Sequence, residues 1–295
     1  KVPDYVRKVW IEKTFGENKN VEVRVFNYLE SELPNTSETS VAVSKIWAGI
    51  FIRQFPDYSL LVTSEPYGRL VASFMNIRHL PFDMGRNLFP VSATLIRQDL
   101  FKYWTFLPAM VKADLAIKVG ILGTESTGKS TLTLALSKFY NCSCVLETAR
   151  DIIVSSKSFD LDTLRLVAAA HATQIDKAIR GDSPLIIVDT DIYTTLSYSR
   201  FTFQHDLEVS PDIILSNKMA LRLFLQNDAA FYQDGTRLDE TTRNLLDLSH
   251  RQTLAENSIP IVEIGGNWTE RFVKAVQAIE VLLQSASFER RTFEK

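Results

Sequence analysis

Cysteine is scarce: two residues, Cys142 and Cys144, in a chain of 295. Two positions apart, they alternate across one extended segment. That argues against a disulfide and fits a reducing, cytoplasmic compartment. Histidine is nearly as rare. His79, His171, His205 and His250 stand isolated, so no zinc cluster is visible and each reads as structural. Neither sign of charge dominates: 33 Lys and Arg stand against 35 Asp and Glu, a net charge of -2. A dedicated nucleic-acid binder would carry a basic excess, and no helix-turn-helix pattern is present. No apolar run approaches the roughly 20 residues that cross a bilayer, and the opening residues do not read as a signal peptide. Low-complexity tracts and repeats of 20–50 residues are also lacking.

What is there is the composition of a globular protein, 45% hydrophobic and 23% charged, with length enough for two domains. The most informative segment is Gly123-Thr124-Glu125-Ser126-Thr127-Gly128-Lys129-Ser130. It is a complete G-x-x-x-x-G-K-[ST] phosphate loop, preceded by an apolar strand pattern and followed by a helix pattern. Its N–H groups would wrap nucleotide phosphates. Lys129 would reach the β and γ phosphates, and the Ser130 hydroxyl would sit on Mg²⁺.

The second half reads as alternating β and α. Strands are expected at 118–122, 143–146, 185–188, 221–225 and 260–264, with helices at 160–180, 236–256 and 268–283 among them. That predicts a mainly parallel five-stranded sheet with ligands at the carboxyl ends of its strands. The first half is also α/β. Helices are expected at 6–15, 41–55 and 67–74, strands at 21–26, 59–62 and 88–91, and an aromatic helix around 101–104. The boundary falls near 112–116 without a Gly/Pro linker, which divides the chain into 1–114 and 115–295. The apolar segment 101–111 reads as packing between the two parts.

Four further patterns sit at the ends of these elements. Asp189-Thr190-Asp191 closes an apolar strand, where phosphate-loop proteins hold Mg²⁺, although either Asp would also cap the next helix. Glu147-Thr148-Ala149-Arg150 stands where a carboxylate can orient an attacking hydroxyl and a guanidinium can clamp phosphate. Gln233-Asp234-Gly235-Thr236-Arg237 reads as a turn whose arginine could meet charge developing in transfer. Ser92-Ala93-Thr94-Leu95-Ile96-Arg97 begins a helix with two hydroxyls and an arginine one turn on, which is either a phosphate site or an ordinary cap. Trp47 is equally suited to stacking on a cationic ring or to core packing.

Taken in order, these motifs, with Thr63-Ser64-Glu65-Pro66-Tyr67-Gly68 and Phe101-Lys102-Tyr103-Trp104, resemble the bifunctional nicotinamide-nucleotide (NMN) adenylyltransferase / ribosylnicotinamide kinase family of NAD salvage. The resemblance covers essentially the whole chain. It implies a Rossmann-like nucleotidyltransferase domain followed by a P-loop kinase domain. The kinase would phosphorylate nicotinamide riboside with ATP and Mg²⁺, and the first domain would adenylate the mononucleotide to NAD. ATP would lie on Gly123, Glu125, Ser126, Thr127, Gly128, Lys129, Ser130 and Thr131, with Arg237 in the lid. Glu147, Arg150, Asp189 and Asp191 would hold the riboside, and Ser130 and Asp189 the metal. Lys129, Asp189, Glu147 and Arg237 would carry catalysis. Trp47, Ser64, Ser92, Thr94 and Arg97 would serve the adenylyltransferase. One departure stands out: the family's Gly-Phe-x-x-x-His-x-Gly-His loop and the strand before it are not found, and no His-x-Gly-His occurs anywhere. The expectation is that this start lies upstream of the given residues. A kinase with another acceptor and a non-catalytic NAD or ATP sensor remain the alternatives. Homo-oligomerisation is left open.

Overall fold

The computed structural model describes residues 2–29, 31, 33–34, 39–153, 159–228 and 239–285. The N-terminal part runs α1 (Asp4–Phe15), α2 (Val41–Gln54), β1 (Leu60–Thr63), α3 (Gly68–Met75), β2 (Arg78–Pro81), α4 (Ala93–Gln98), a 3₁₀ turn (Trp104–Phe106) and α5 (Ala109–Leu115). The rest runs β3 (Ile117–Leu122), α6 (Lys129–Tyr140), β4 (Ser143–Val145), α7 (Ala149–Ile152), α8 (Leu161–Ile179), β5 (Leu185–Asp189), α9 (Ile192–Phe203), α10 (Pro211–Ser216), β6 (Leu221–Leu225), α11 (Glu240–Glu256), β7 (Val262–Ile264) and α12 (Trp268–Ser285).

Strands β3 to β7 form one parallel sheet in the order β4-β5-β3-β6-β7. All five strands expected from sequence are present, and the arrangement is the parallel α/β sheet that the apolar runs imply. The inner strands β3 and β5 are buried along their whole length, because helices cover both faces. On one face Ile121, Ile187 and Leu223 pack with Leu136 of α6 and Ile279 of α12. On the other, Ile186 and Val188 meet Ile175 and Ile179 of α8. The sheet leaves Cys142 and Cys144 unpaired, and burial pushes the Cys142 thiol up to about 12, which makes it chemically inert.

The N-terminal part departs further from expectation. Its sheet has two strands among the described residues, β1 and β2, in parallel register from Leu60↔Arg78 to Thr63↔Pro81. The strand expected at 88–91 is not formed. The Asp83 carboxylate accepts from the backbone N–H groups of Asn87, Leu88 and Phe89, so donors that a ladder would need are spent on a turn. Residues 21–26 form no strand either; there Phe26 packs edge-on against the Trp47 ring. Strand β2 was unforeseen because a segment ending in Pro81 is a weak strand signal. The aromatic helix around 101–104 is a turn leading into the 3₁₀ turn.

The junction is tight. Ala116 leads from α5 straight into β3. The Trp104 indole is fully buried with Val6, Trp10, Val111 and Leu115, and its Nε1–H donates to the Gly181 carbonyl at 3.0 Å. Lys112 Nζ donates to the carbonyls of Arg180 and Gly181 at 3.4 and 3.2 Å, neutralising the end of α8. Segment 101–111 therefore packs the two parts together, as its composition implies. Replacing Trp104 by Ala empties a large buried volume and removes one of the two donors to the Gly181 carbonyl, so unfolding in urea should show a loss of about 3–5 kcal/mol. A loss below about 1 kcal/mol would deny Trp104 that role.

Candidate active site

The phosphate loop joins β3 to α6, and two glycines are dictated by its path. Gly123 has φ +135°, and a Cβ there would stand 2.8 Å from the Leu225 carbonyl. Gly128 has φ +89°, and a Cβ would penetrate the Trp268 ring. Inside the loop, Thr127 Oγ1 and Lys129 Nζ both donate to the Thr124 carbonyl, at 2.8 and 3.0 Å. Lys129 begins α6, so the helix N-terminus and an ammonium face the same space.

The β3–β5 register sets Ile121 opposite Asp189. It brings the end of β5 beside the loop, where Ser130 Oγ donates to Asp189 Oδ2 at 2.5 Å. Asp189 is fully buried, and burial raises its pKa against the opposing pull of Lys129 and Ser130. Its other oxygen, Oδ1, is buried with no hydrogen-bond partner among the described residues. A hard oxygen donor with spare capacity, beside a serine hydroxyl, fits a Mg²⁺ ion that completes its shell with water and phosphate.

Asp191 has a different occupation. Its carboxylate caps α9, accepting from the N–H groups of Tyr193 and Thr194, and pairs with Arg222 at 2.7 Å; both side chains are buried. The two aspartates that the sequence left open are thus separated: Asp189 faces the loop, and Asp191 is held as helix cap and ion-pair partner. Glu147 and Arg150 follow β4 and approach each other at 3.3 Å, with Glu147 largely covered and Arg150 exposed. Thr131 is exposed on the first turn of α6. The turn 233–237, with Arg237, lies outside the described residues.

Beside the loop opens a cavity of about 310 Å³ between α8 and α9. That is the small end of the range of roughly 300–1,000 Å³ typical of small-molecule sites. Lys129, Glu147, Thr190 and Asp191 line it beside the loop and the strand ends, with Phe159, Val167 and Tyr198 among the other lining residues. Sequence reasoning missed Tyr198, whose hydroxyl donates to Glu125 of the loop at 3.1 Å. Burial and the Glu125 carboxylate raise its pKa well above the ordinary tyrosine value. Only the start of a helix after the Asp-Thr-Asp turn hinted at it. Arg271 was also missed. Fully buried in α12, it donates to the carbonyls of Thr127, Gln226 and Gly266, at 2.7, 3.1 and 2.8 Å, and pairs with Asp228.

Both His171 and His250 are buried, as structural residues would be, yet neither has a partner for a ring nitrogen among the described residues. The expected nucleotide residues of the N-terminal part are less concentrated. Ser92 caps α4 by accepting from the Leu95 N–H at 3.2 Å, and Arg97 reaches Thr94 Oγ1 at 3.4 Å. Ser64 follows β1. Trp47 has its Nε1–H on the Pro34 carbonyl and its ring among Phe26, Tyr28 and Phe51. None of the described helices is long and apolar enough to cross a membrane.

Two outcomes follow from this geometry. Replacing Asp191 by Ala leaves the buried Arg222 guanidinium unpaired, so thermal or urea unfolding should reveal a loss of about 3–5 kcal/mol; near-wild-type stability would refute the pairing as a structural element. Burial, with a smaller contribution from Lys129, pushes the His250 ring down to about 3. Unfolded, it titrates near about 6.5. Below that pH the unfolded state takes up a proton that the fold refuses, so stability falls by up to about 1.4 kcal/mol per pH unit. His250→Leu should flatten the decline measured between pH 6.5 and 5, and an unchanged slope would count against it.

Comparison with known proteins agrees with this architecture. A family model described as an AAA domain matches residues 118–271. The trifunctional NAD biosynthesis/regulator protein NadR of Escherichia coli (strain K12) is 27% identical over 293 residues, covering 96% of this chain and 70% of the relative. A crystal structure of NadR protein in complex with NR superposes with a TM-score of 0.63 at 18% identity, over 100% of this chain and 85% of that one. A second, in complex with NAD and AMP-PNP, gives a TM-score of 0.60 at 18% identity, over 98% and 83%. The motif order and the whole-chain relatives point the same way.

Proposed function

The chain belongs to the AAA-domain family over residues 118–271, and from that premise we propose that residues 115–295 form a kinase of NAD salvage, which transfers phosphate from ATP to nicotinamide riboside and yields the mononucleotide. The observation that carries it is the cavity of about 310 Å³ lined by Glu147 and Asp191 and by Lys129 and Thr190, which adjoin the Ser130–Asp189 pair in the chain. A motor or signalling nucleotidase needs no such chamber next to its phosphates. The riboside as acceptor is supported by the whole-chain likeness to NadR of Escherichia coli and to a crystal structure of NadR protein in complex with NR.

In this proposal the loop N–H groups, the α6 N-terminus and Lys129 bind the β and γ phosphates. Ser130 and Asp189 hold Mg²⁺, which when bound screens the phosphate charge and stabilises the charge that develops in transfer. Glu147 lines the cavity and Asp189 lies next to it against Ser130; a carboxylate here would orient the riboside hydroxyl and accept its proton as the bond to the γ phosphorus forms and the bond from that phosphorus to ADP breaks. Arg150 steadies phosphate or substrate from the exposed side, and Arg237 would close over it. Asp191 fixes the start of α9 and also lines the cavity, where it would meet the riboside. Tyr198 holds Glu125 and keeps water from that wall.

Residues 1–114 are proposed as the nucleotidyltransferase part, with Ser64, Ser92, Thr94 and Arg97 toward ATP and Trp47 toward the nicotinamide ring. Adenylation to NAD is proposed only in company with a His-x-Gly-His loop, which the 295 residues do not contain. Cytoplasmic placement belongs to the same proposal.

Incubating the protein with ATP, Mg²⁺ and nicotinamide riboside should give the mononucleotide, detected by chromatography. Lys129→Ala should lower kcat/KM by a factor of about 10²–10³ or more, since an electrostatic clamp on the transferring group is removed. Binding of NAD or ATP without product would instead favour a sensor, and faster turnover of a deoxynucleoside would reassign the acceptor.

A further inference from the structure

The side of the cavity away from the phosphate loop raises a separate question. Along α8 the lining residues are Leu164, Val167, Ala168 and His171. At 1.5 Å of rise per residue, His171 lies about 10 Å further along the helix than Leu164. Helix α8 joins β4 to β5 of a parallel sheet and so runs from the carboxyl ends of the strands toward their starts, which sets His171 further than Leu164 from the edge where the phosphate loop and Lys129 lie. An acceptor whose hydroxyl meets the transferring phosphate therefore places its far end near His171.

His171 is 5% exposed, and neither ring nitrogen has a hydrogen-bond partner among the described residues. Of the other polar groups around the cavity, Thr190 Oγ1, next to the strand end that carries Asp189, also lacks a partner among the described residues, while Asn217, Tyr198 and Asp191 are engaged. Asn217 accepts from the Ile192 N–H and donates to the Ile213 carbonyl. Tyr198 donates to Glu125, and Asp191 is taken by Arg222 and the cap of α9. A buried imidazole with two idle nitrogens forfeits hydrogen bonds it had in water, a cost normally tolerated only where a ligand makes them good. Burial holds the ring neutral, against the weaker pull of Glu147. A neutral ring can donate or accept, and it does not repel a cationic pyridinium.

We propose that His171 hydrogen-bonds the carboxamide of the acceptor ring and so selects an amide-bearing pyridine riboside over one without the amide. This rests on the riboside-kinase reading above and names the group that would give that site its specificity. It is a binding contact rather than a participant in the transfer, and its loss should act through recognition of the ring substituent.

The test compares nicotinamide riboside with pyridinium riboside, which lacks the carboxamide, for the unaltered chain and for His171→Leu and His171→Asn. One hydrogen bond in a buried site corresponds to about a 10- to 100-fold change. His171→Leu should lower kcat/KM for nicotinamide riboside by that factor and for pyridinium riboside by at least tenfold less. His171→Asn, which keeps a donor and an acceptor, should recover part of the loss. Equal losses on the two ribosides would mark a purely structural residue and overturn the proposal, as would no loss on nicotinamide riboside. Should His171→Leu fail to fold in urea titrations, the same comparison with His171→Asn decides. Failure of the unaltered chain to phosphorylate nicotinamide riboside would overturn the underlying reading and the proposal with it; substrate-independent losses in an active enzyme would overturn the proposal alone.

Discussion

Everything in the candidate site depends on the parallel pairing of β3 with β5. Parallel strands bring their carboxyl ends to one edge of the sheet, and the register sets Ile121 beside Asp189. From that edge the phosphate loop leaves β3 and the Asp-Thr-Asp turn leaves β5. The Ser130–Asp189 contact, the buried spare oxygen of Asp189 and the cavity beside the loop are consequences. A one-residue slip would send Asp189 to the opposite face and bury it in the apolar layer under α8. The unbroken burial of both strands makes that slip costly, so hydrophobic packing is what holds the polar site in register.

A second layer of support is polar. Arg271 ties the loop at Thr127 to the end of β6 at Gln226 and Asp228 and to the turn at Gly266. A guanidinium suits this place because its planar fork reaches several carbonyls at once from a buried position. Arg271 therefore braces the end of β6 and the phosphate loop together. Trp268 closes over Gly128 from the same helix, which is why that position admits no side chain. The loop's shape is thus imposed from α12, about 140 residues downstream in the sequence.

The parts of the fold visible in the sequence were those governed by local or repeating chemistry. Apolar runs of five or six residues between helical patterns can only be inner strands of a covered sheet, and β3, β5 and β6 appeared within a residue of the expected bounds. The N-terminal part was less legible because its strands are short and half exposed. Whether 88–91 pairs in a sheet or wraps around Asp83 is decided by a side chain several residues away, and strand propensity does not carry that information.

For the site, the sequence by itself determined the chemistry on offer: a loop whose glycines permit positive φ, a lysine at a helix start, a serine, and carboxylates at strand ends. Those are local features, fixed by residue type and spacing. Only the tertiary structure decided how the groups divide the work. Asp189 and Asp191 are two residues apart and identical in kind, yet one lies against Ser130 and the other is consumed by Arg222 and a helix cap. Tyr198, His171 and Arg271 carry no motif at all. Their roles follow from which helix faces meet around the cavity and the loop, and burial there determines whether a polar group is satisfied, charged or left waiting for a ligand.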